Sequence, residues 1–205
     1  MTDFEIGDRV TGMFNGSFGP VADVPAMALS TFPEDWSFED AATIPVVFLT
    51  AYYGLVDLAD LRAGQKVLIH AAAGGVGMAA IQLARMLGAE VYATASEPKW
   101  DVLRSLGIDD EHLASSRDLA FEEKFHSTAG SFDVVLNSLA NEFVDASVRL
   151  VRPGGWFLEM GKLDIREAGD YPEINYHFYD VLDPGPEHLH HLLGVLMDLF
   201  GRRAL

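Results

Sequence analysis

The most constraining feature of the chain is the run Val67-Leu68-Ile69-His70-Ala71-Ala72-Ala73-Gly74-Gly75-Val76-Gly77. A short apolar strand passes through a turn of small residues directly into a segment with helical spacing, in which Val76, Ala80, Leu83, Ala84 and Leu87 share one face. Gly88 follows as a C-cap residue, and Val91-Tyr92-Ala93-Thr94 reads as the next strand. Strand, glycine-rich turn, helix and strand form one βαβ unit, the setting in which such a turn holds the pyrophosphate of a dinucleotide. Ala72, Gly74 and Gly77 occupy the three small-residue positions, with Gly75 and Val76 between the last two. Gly74 allows backbone to approach the phosphates, and Gly77 allows the helix to pack close to the strand. The helix N-terminus adds unpaired N–H groups and a partial positive charge. A glycine-rich turn alone would also suit an α/β protein that binds no nucleotide, so the surrounding unit carries the weight.

The alternation continues downstream. A helix is expected from Pro98 to Leu106, ended by Gly107, and a third strand before Arg117. Asp133 to Asn137 reads as a strand, Asn141 to Leu150 as a helix, Pro153-Gly154-Gly155 as a turn, Trp156 to Gly161 as a strand, and Tyr176 to Tyr179 as an edge strand. This pattern predicts an α/β fold with a doubly wound parallel Rossmann sheet. Residues 1–45 have a different texture, rich in turn residues and short of core. Asn15-Gly16 is a hairpin signal leading through Phe18-Gly19-Pro20-Val21 into extended chain, and Ser37 with Asp40 forms an N-terminal capping pattern. Beyond Pro184-Gly185-Pro186, Leu189, Leu192, Leu193, Leu196, Leu199 and Phe200 have the spacing of an amphipathic helix. The expected division is therefore 1–45, 46–182 and 183–205.

The end of the second strand bears on the type of dinucleotide. Enzymes that use NAD place an acid there for the ribose 2′-OH. Here the residues are Thr94-Ala95-Ser96, with Lys99 one helical turn later and Arg117 after the third strand. A serine and two cations suit a 2′-phosphate, hence NADPH. Glu97 is a counter-signal, because it lies about twenty residues beyond the glycines, where a ribose-binding acid is sometimes found. It is read here as a first-turn helix residue favoured by the dipole. Either cation taken singly could be a solvated surface charge.

Composition narrows the partners. With 14 Lys+Arg against 31 Asp+Glu, the chain carries a formal charge of −17 and should be repelled by nucleic acid and by anionic membrane surfaces. It contains no cysteine, which excludes disulfides, a thiolate nucleophile and a Cys-ligated zinc site. No metal is expected. His188, His190 and His191 cluster at the start of the last helix without a matching acid or cysteine pattern, so a solvated face is expected. The N-terminus has no basic-then-apolar leader and no run is long enough to span a bilayer, so the cytoplasm is the default.

Several stretches resemble one family. Ala71 to Gly77 is similar to the zinc-independent branch of the medium-chain dehydrogenase/reductases. Ala42-Thr43-Ile44-Pro45-Val46-Val47-Phe48-Leu49-Thr50-Ala51-Tyr52-Tyr53-Gly54-Leu55, Val134 to Ala140, Phe143 to Ser147 and Phe157-Leu158-Glu159-Met160-Gly161-Lys162 narrow the likeness to the enoyl reductase domains of modular type I polyketide synthases. The resemblance implies reduction of a trans-2-enoyl thioester on an acyl carrier protein, with hydride from NADPH delivered to the β-carbon and a proton to the α-carbon. Neighbouring synthase domains would be partners, and tethering to them would remove the need for affinity between two acidic proteins. By the same resemblance Lys162 matches the candidate proton donor and Asp180 its partner, while Thr50, Asn137, Ser138, Leu139, Met160 and Gly161 match positions lining the cofactor cleft. Without the family, Lys162 would be a surface cation and Asp180 a turn residue. Residues 1–45 would be part of a β-rich GroES-like substrate subdomain whose remaining strands, before Gly7 and after Leu205, are expected to be missing. That expectation leaves exposed apolar surface near the N-terminus. Two other readings stay open: a truncated, non-catalytic NADPH-binding remnant, and a stand-alone quinone or enone reductase.

Overall fold

The computed structural model describes residues 4–205. Strands β1 (Val10–Gly12) and β2 (Leu29–Thr31) pair antiparallel as a small separate sheet. Helices α1 (Phe38–Ala42) and α2 (Pro45–Tyr52) then lead into the main sheet. Its strands are β3 (Lys66–Ile69), β4 (Glu90–Ala95), β5 (Leu113–Ser115), β6 (Phe132–Asn137), β7 (Val151–Glu159) and β8 (Asn175–Phe178). All pair in parallel, in the order β5-β4-β3-β6-β7-β8. The intervening helices are α3 (Gly75–Met86), α4 (Trp100–Ser105), α5 (Ala120–Thr128) and α6 (Glu142–Arg149), and α7 (Pro186–Gly201) closes the chain.

The period-2 alternation of side chains along a strand divides the core into two layers. Val67, Ile69, Val91, Ala93, Val134, Leu136 and Leu158 point to one face, where α2, α3 and α7 contribute Phe48, Leu49, Ile81, Leu83, Leu193 and Leu196. Leu68, Tyr92, Phe132, Val135 and Phe157 point to the other, against Phe121 and Phe125 of α5 and Val144 of α6. Both faces are covered, which is why these strands read as continuous apolar runs rather than alternating ones. The chain builds outward from β3 through β4 to β5 and then returns to pair β6 with the other side of β3. This reversal leaves a crevice beyond the carboxyl ends of β3 and β6, where ligands bind in sheets of this kind.

Several local expectations need correction. Asn15-Gly16 does not close a hairpin: β1 ends at Gly12 and β2 begins only at Leu29, so the turn at Gly16 sits inside a long connection. No strand directly follows it, and Phe18 and Val21 are exposed, as is Ile6. Residues 4–45 thus have only two three-residue strands, fewer than the texture of this segment suggests. Pro153-Gly154-Gly155 is not a break between elements but an irregularity inside β7, where pairing with β6 jumps from Phe132↔Val151 to Val134↔Trp156. The chain bulges there and resumes its register, a use of glycine within strands that propensity does not distinguish from a turn. The segment at Pro98 begins as a 3-10 turn over Glu97–Lys99 and becomes α-helical only at Trp100. Helix α5 is an addition to the expected elements; its buried face consists of only Phe121 and Phe125, one helical turn apart. The capping pattern at Ser37 is present, with its hydroxyl accepting from the Asp40 backbone N–H at 3.0 Å and the Asp40 carboxylate accepting from the Ser37 N–H at 3.2 Å.

Candidate active site

The turn after β3 is built from backbone that approaches itself closely. Ala71 lies in the left-handed region at φ 48°, which costs a residue with a Cβ of order 1 kcal/mol. It is held there by bonds on both sides: the Ala72 N–H donates to the Thr94 carbonyl at 2.9 Å and the Gly74 N–H to the Ala71 carbonyl at 2.8 Å. A Cβ on Gly77 would stand 2.5 Å from the Ala72 Cα and 2.6 Å from its carbonyl oxygen, so only glycine lets α3 start this close to the turn. The first turn of α3, with its unpaired N–H groups, therefore opens beside β3 and faces the crevice.

His70 anchors the turn from below. It is buried, with Nδ1 2.8 Å from the Thr94 hydroxyl and Nε2 2.8 Å from the Ser147 hydroxyl. The Ser147 hydroxyl gives its proton to the Phe143 carbonyl at 2.6 Å, so it accepts from His70 Nε2–H and Thr94 donates to Nδ1. Burial depresses the imidazole to about 3, so the ring is neutral and ties β3 to both β4 and α6.

A cleft of about 430 Å³ occupies the crevice. Thr50, Gly74, Gly75, Val76, Gly77, Ser138, Met160, Lys162 and Asp180 all line it, together with His70 and Tyr179. Tyr179 is buried and donates its hydroxyl proton to the Thr50 carbonyl at 3.1 Å, and burial raises its phenol above the ordinary value. Lys162 Nζ is hydrogen-bonded to the Asp180 carboxylate, and this bond holds Asp180 below its ordinary pKa. Asp180 also accepts the Leu182 N–H at 3.0 Å. Lys162 is two-thirds exposed and its partner about one-quarter, so the cation lies at the open edge of the cleft.

The remaining expected residues lie around this cavity rather than on its wall. Asn137 is buried at the end of β6, where its amide donates to the Leu139 carbonyl at 2.9 Å and accepts the Leu139 N–H at 3.2 Å, shaping the Asn137-Ser138-Leu139 loop. Gly161 follows β7. Ser96 follows β4, Lys99 closes the adjoining 3-10 turn and Arg117 follows β5, so all three stand at the carboxyl edge on the β4–β5 side. No ion pair involves Lys99 or Arg117 among the described residues, although 31 acids are present in the chain. No acid other than exposed Glu97 stands at the end of β4.

Besides His70 and Tyr179, a third buried residue outside the set expected from the sequence stands beside the site. Glu159 has no solvent exposure at the end of β7. Its carboxylate accepts from the Asn137 amide at 2.6 Å and from the Gly161 N–H at 2.5 Å. Burial pushes it up to about 7, against the pull of those two donors, and the neighbouring Asp164 raises it further. The available signal is an acid inside the apolar run Trp156-Phe157-Leu158-Glu159-Met160, since an unpaired charge is costly there. Among the described residues no group of three or more His, Cys, Asp or Glu could hold a metal; His188 instead bonds Asp57 at 2.5 Å. Among them, too, no helix is long and apolar enough to cross a membrane.

A strand-turn-helix that only a glycine permits, a positive helix end and a crevice at the point of strand reversal are the parts that receive a dinucleotide's pyrophosphate, and the residues present fit that group. The profile of the zinc-binding dehydrogenase family matches residues 75–179. The chain belongs to that family, in the branch formed by the enoyl reductase domains of polyketide synthases. It is 56% identical over 203 residues to the spectinabilin polyketide synthase system protein NorB of Streptomyces orinoci, covering 97% of this chain and 9% of that protein. Its fold superposes on the CurK enoyl reductase with a TM-score of 0.90 at 37% identity, over all of this chain and 64% of that one. It also matches the nucleotide-binding subdomain of the enoyl reductase domain of PpsC from Mycobacterium tuberculosis, with a TM-score of 0.71 at 32% identity, over 78% of this chain and 94% of that one. The chain therefore spans less than a tenth of the curated synthase it matches.

Proposed function

We propose that this chain is the NADPH-binding part of an enoyl reductase that saturates a trans-2-enoyl thioester carried on an acyl carrier protein, working beside the other domains of a polyketide synthase. The observation that carries the reading is the placing of Lys162 and Asp180, hydrogen-bonded to each other, on the same cleft as the glycine-rich turn. NADPH would supply the hydride. The chain's own residues would supply position and a proton. Gly74 to Gly77 and the start of α3 would hold the pyrophosphate. Ser96, Lys99 and Arg117, on the β4–β5 side, would hold the 2′-phosphate, which leaves the β6–β7 side for the nicotinamide. Asp180 would hold Lys162 at the mouth of the cleft, where a protonated amine can stabilise negative charge developing on the thioester oxygen and give up a proton at the α-carbon.

The test is NADPH oxidation, followed at the nicotinamide absorbance, with a crotonyl-pantetheine thioester as substrate. Turnover lost on substituting Lys162 supports the reading. A folded chain that binds NADPH saturably but never oxidises it favours a non-catalytic binding module, and one that turns over small quinones in preference to the thioester favours a quinone reductase.

A further inference from the structure

The loops that follow β6 and β7 form the wall on which the nicotinamide end of the cofactor would lie. At their outer ends the Asn141 N–H donates to the Asp164 carboxylate at 2.7 Å, and the Met160 N–H continues the strand ladder to the Asn137 carbonyl at 2.9 Å; beside the cleft the link is made by one buried side chain. Glu159 Oε2 accepts the Asn137 amide at 2.6 Å and Oε1 accepts the Gly161 N–H at 2.5 Å. Asn137 in turn bonds both the N–H and the carbonyl of Leu139, which fixes the loop carrying Ser138. Gly161 directly precedes Lys162. The fit around the carboxylate is close: a Cβ on Gly161 would stand 2.7 Å from Glu159 Oε1. A carboxylate is the side chain for this place, because both of its neighbours are donors and it offers an acceptor to each. Buried charge is retained at a cost only where its hydrogen bonds are satisfied.

From this geometry we infer that Glu159 is a positioning residue: it clamps the loops after β6 and β7 to each other, setting Ser138 on one side and Gly161-Lys162 on the other for the cofactor. The inference rests on the cofactor reading given above, but the clamp itself is a property of the protein without ligand. Protonation of Glu159 would replace one acceptor with an O–H facing a donor, and the clamp would slacken. The ionisable groups that share its surroundings are Asp164 in the following loop, Tyr176 on β8 and Tyr179 beyond it. Asp164 is engaged with Arg166, and both phenols are raised above their ordinary values.

Glu159→Gln keeps the shape and presents one donor where an acceptor is needed. Two measurements on the whole chain test the clamp. The first follows the Gly161 amide resonance by ¹H–¹⁵N NMR from pH 5 to 9 without cofactor. It should titrate with a midpoint around 7 in the wild type and be flat in the Gln variant. The second follows NADPH affinity by quenching of tryptophan fluorescence. The variant should bind roughly tenfold more weakly at pH 8, the loss expected when a buried acceptor loses one of two charge-assisted bonds. Wild-type affinity should fall as the pH drops through 7 more steeply than that of the variant; the cofactor's own phosphates titrate equally in both. A pH-independent Gly161 resonance overturns the clamp, and so do equal affinities with parallel pH profiles. If the wild type binds no NADPH at all, the cofactor reading fails, and the resonance alone decides whether Glu159 joins the loops.

Discussion

His70 and Glu159 should impose opposite proton linkages on folding over the same range of pH. Burial holds the His70 imidazole at about 3, from an ordinary value of 6.5. Burial moves Glu159 the other way, from 4.5 to about 7. Between pH 6.5 and 4.5 the unfolded chain takes up a proton on the histidine that the folded chain refuses, so acidification lowers stability. In the same window the folded chain already holds a proton on Glu159 that the unfolded chain gains only near 4.5, so acidification raises stability. Each unmatched proton is worth about 1.4 kcal/mol per pH unit, and here the two oppose and cancel. Glu90 and Glu122 are held below 4.5 and His112 above 6.5, which places their own linkages outside the window. In Glu159→Gln only the histidine remains, so stability should fall by about 2.3 kcal/mol on going from pH 6.5 to 4.5, a little under two units at that slope because half of the unfolded histidine is already protonated at 6.5. His70→Asn should show the reverse, gaining stability as the pH falls. Urea unfolding at pH 4.5, 5.5 and 6.5, extrapolated to water, gives each slope relative to the wild type. If the Glu159→Gln profile runs parallel to the wild type, the carboxyl is not held protonated by burial, and the reasoning that its zero exposure outweighs its two donors is wrong.

The remaining predictions concern the turn and the two ends of the cleft. Gly77→Ala would drive a Cβ to 2.5 Å from the Ala72 backbone and should cost about 1–3 kcal/mol, with loss of NADPH binding, whereas Gly194→Ala in α7, where a Cβ meets nothing within 4 Å, should stabilise by up to about 1 kcal/mol. Thermal unfolding of the pair checks the opposite signs. Lys99→Ala combined with Arg117→Ala should weaken NADPH binding by roughly tenfold or more and leave NADH binding nearly unchanged, as read by fluorescence titration with each cofactor. Lys162→Met should abolish thioester-dependent NADPH oxidation while NADPH affinity stays within about threefold, a split expected of a group that acts on the substrate rather than on the cofactor.

The sequence is most informative where one physical requirement selects one residue type. The stretch from Val67 to Gly77 is such a place, because a strand buried on both faces must be apolar throughout and the third residue of α3, where a Cβ would stand 2.5 Å from the Ala72 backbone, must be glycine. It is least informative where a short segment satisfies two requirements equally well. Pro153-Gly154-Gly155 serves a bulge as readily as a turn, and only the partner strand, with Val151 and Trp156 both paired to β6, distinguishes them. Helix α5 is hidden because two phenylalanines four residues apart are too few to define a period. The expected substrate residues and the cofactor positions Thr50, Asn137, Ser138, Leu139, Met160 and Gly161 come from family likeness, and the fold explains why periodicity could not find most of them: Ser138, Leu139, Met160, Gly161, Lys162 and Asp180 sit on loops at the ends of strands, where no repeat constrains identity.

Glu159 illustrates the opposite error. Reading acids as surface residues is sound on average, and in a chain with 31 of them it hides the one buried acid among the described residues. Its position is nonetheless informative. In Trp156-Phe157-Leu158-Glu159 the side chains alternate across the sheet, and Phe157, Leu158 and Glu159 are all buried, so neither face of the strand offers the acid water. An acid at such a place needs donors, and two sources lie within reach at the end of a parallel strand: the backbone of its own following loop and a side chain at the end of the adjoining strand. Gly161 and Asn137 are those two. The same requirement accounts for three residue types together. Glutamate is needed for its two acceptors, asparagine for a donor that can also hold its own loop, and glycine for room against the carboxylate. A buried acid, a strand-ending asparagine and a glycine two residues after the acid therefore form a pattern whose members depend on one another, so that losing any one of them leaves the other two with a polar group unpaired or a loop unheld.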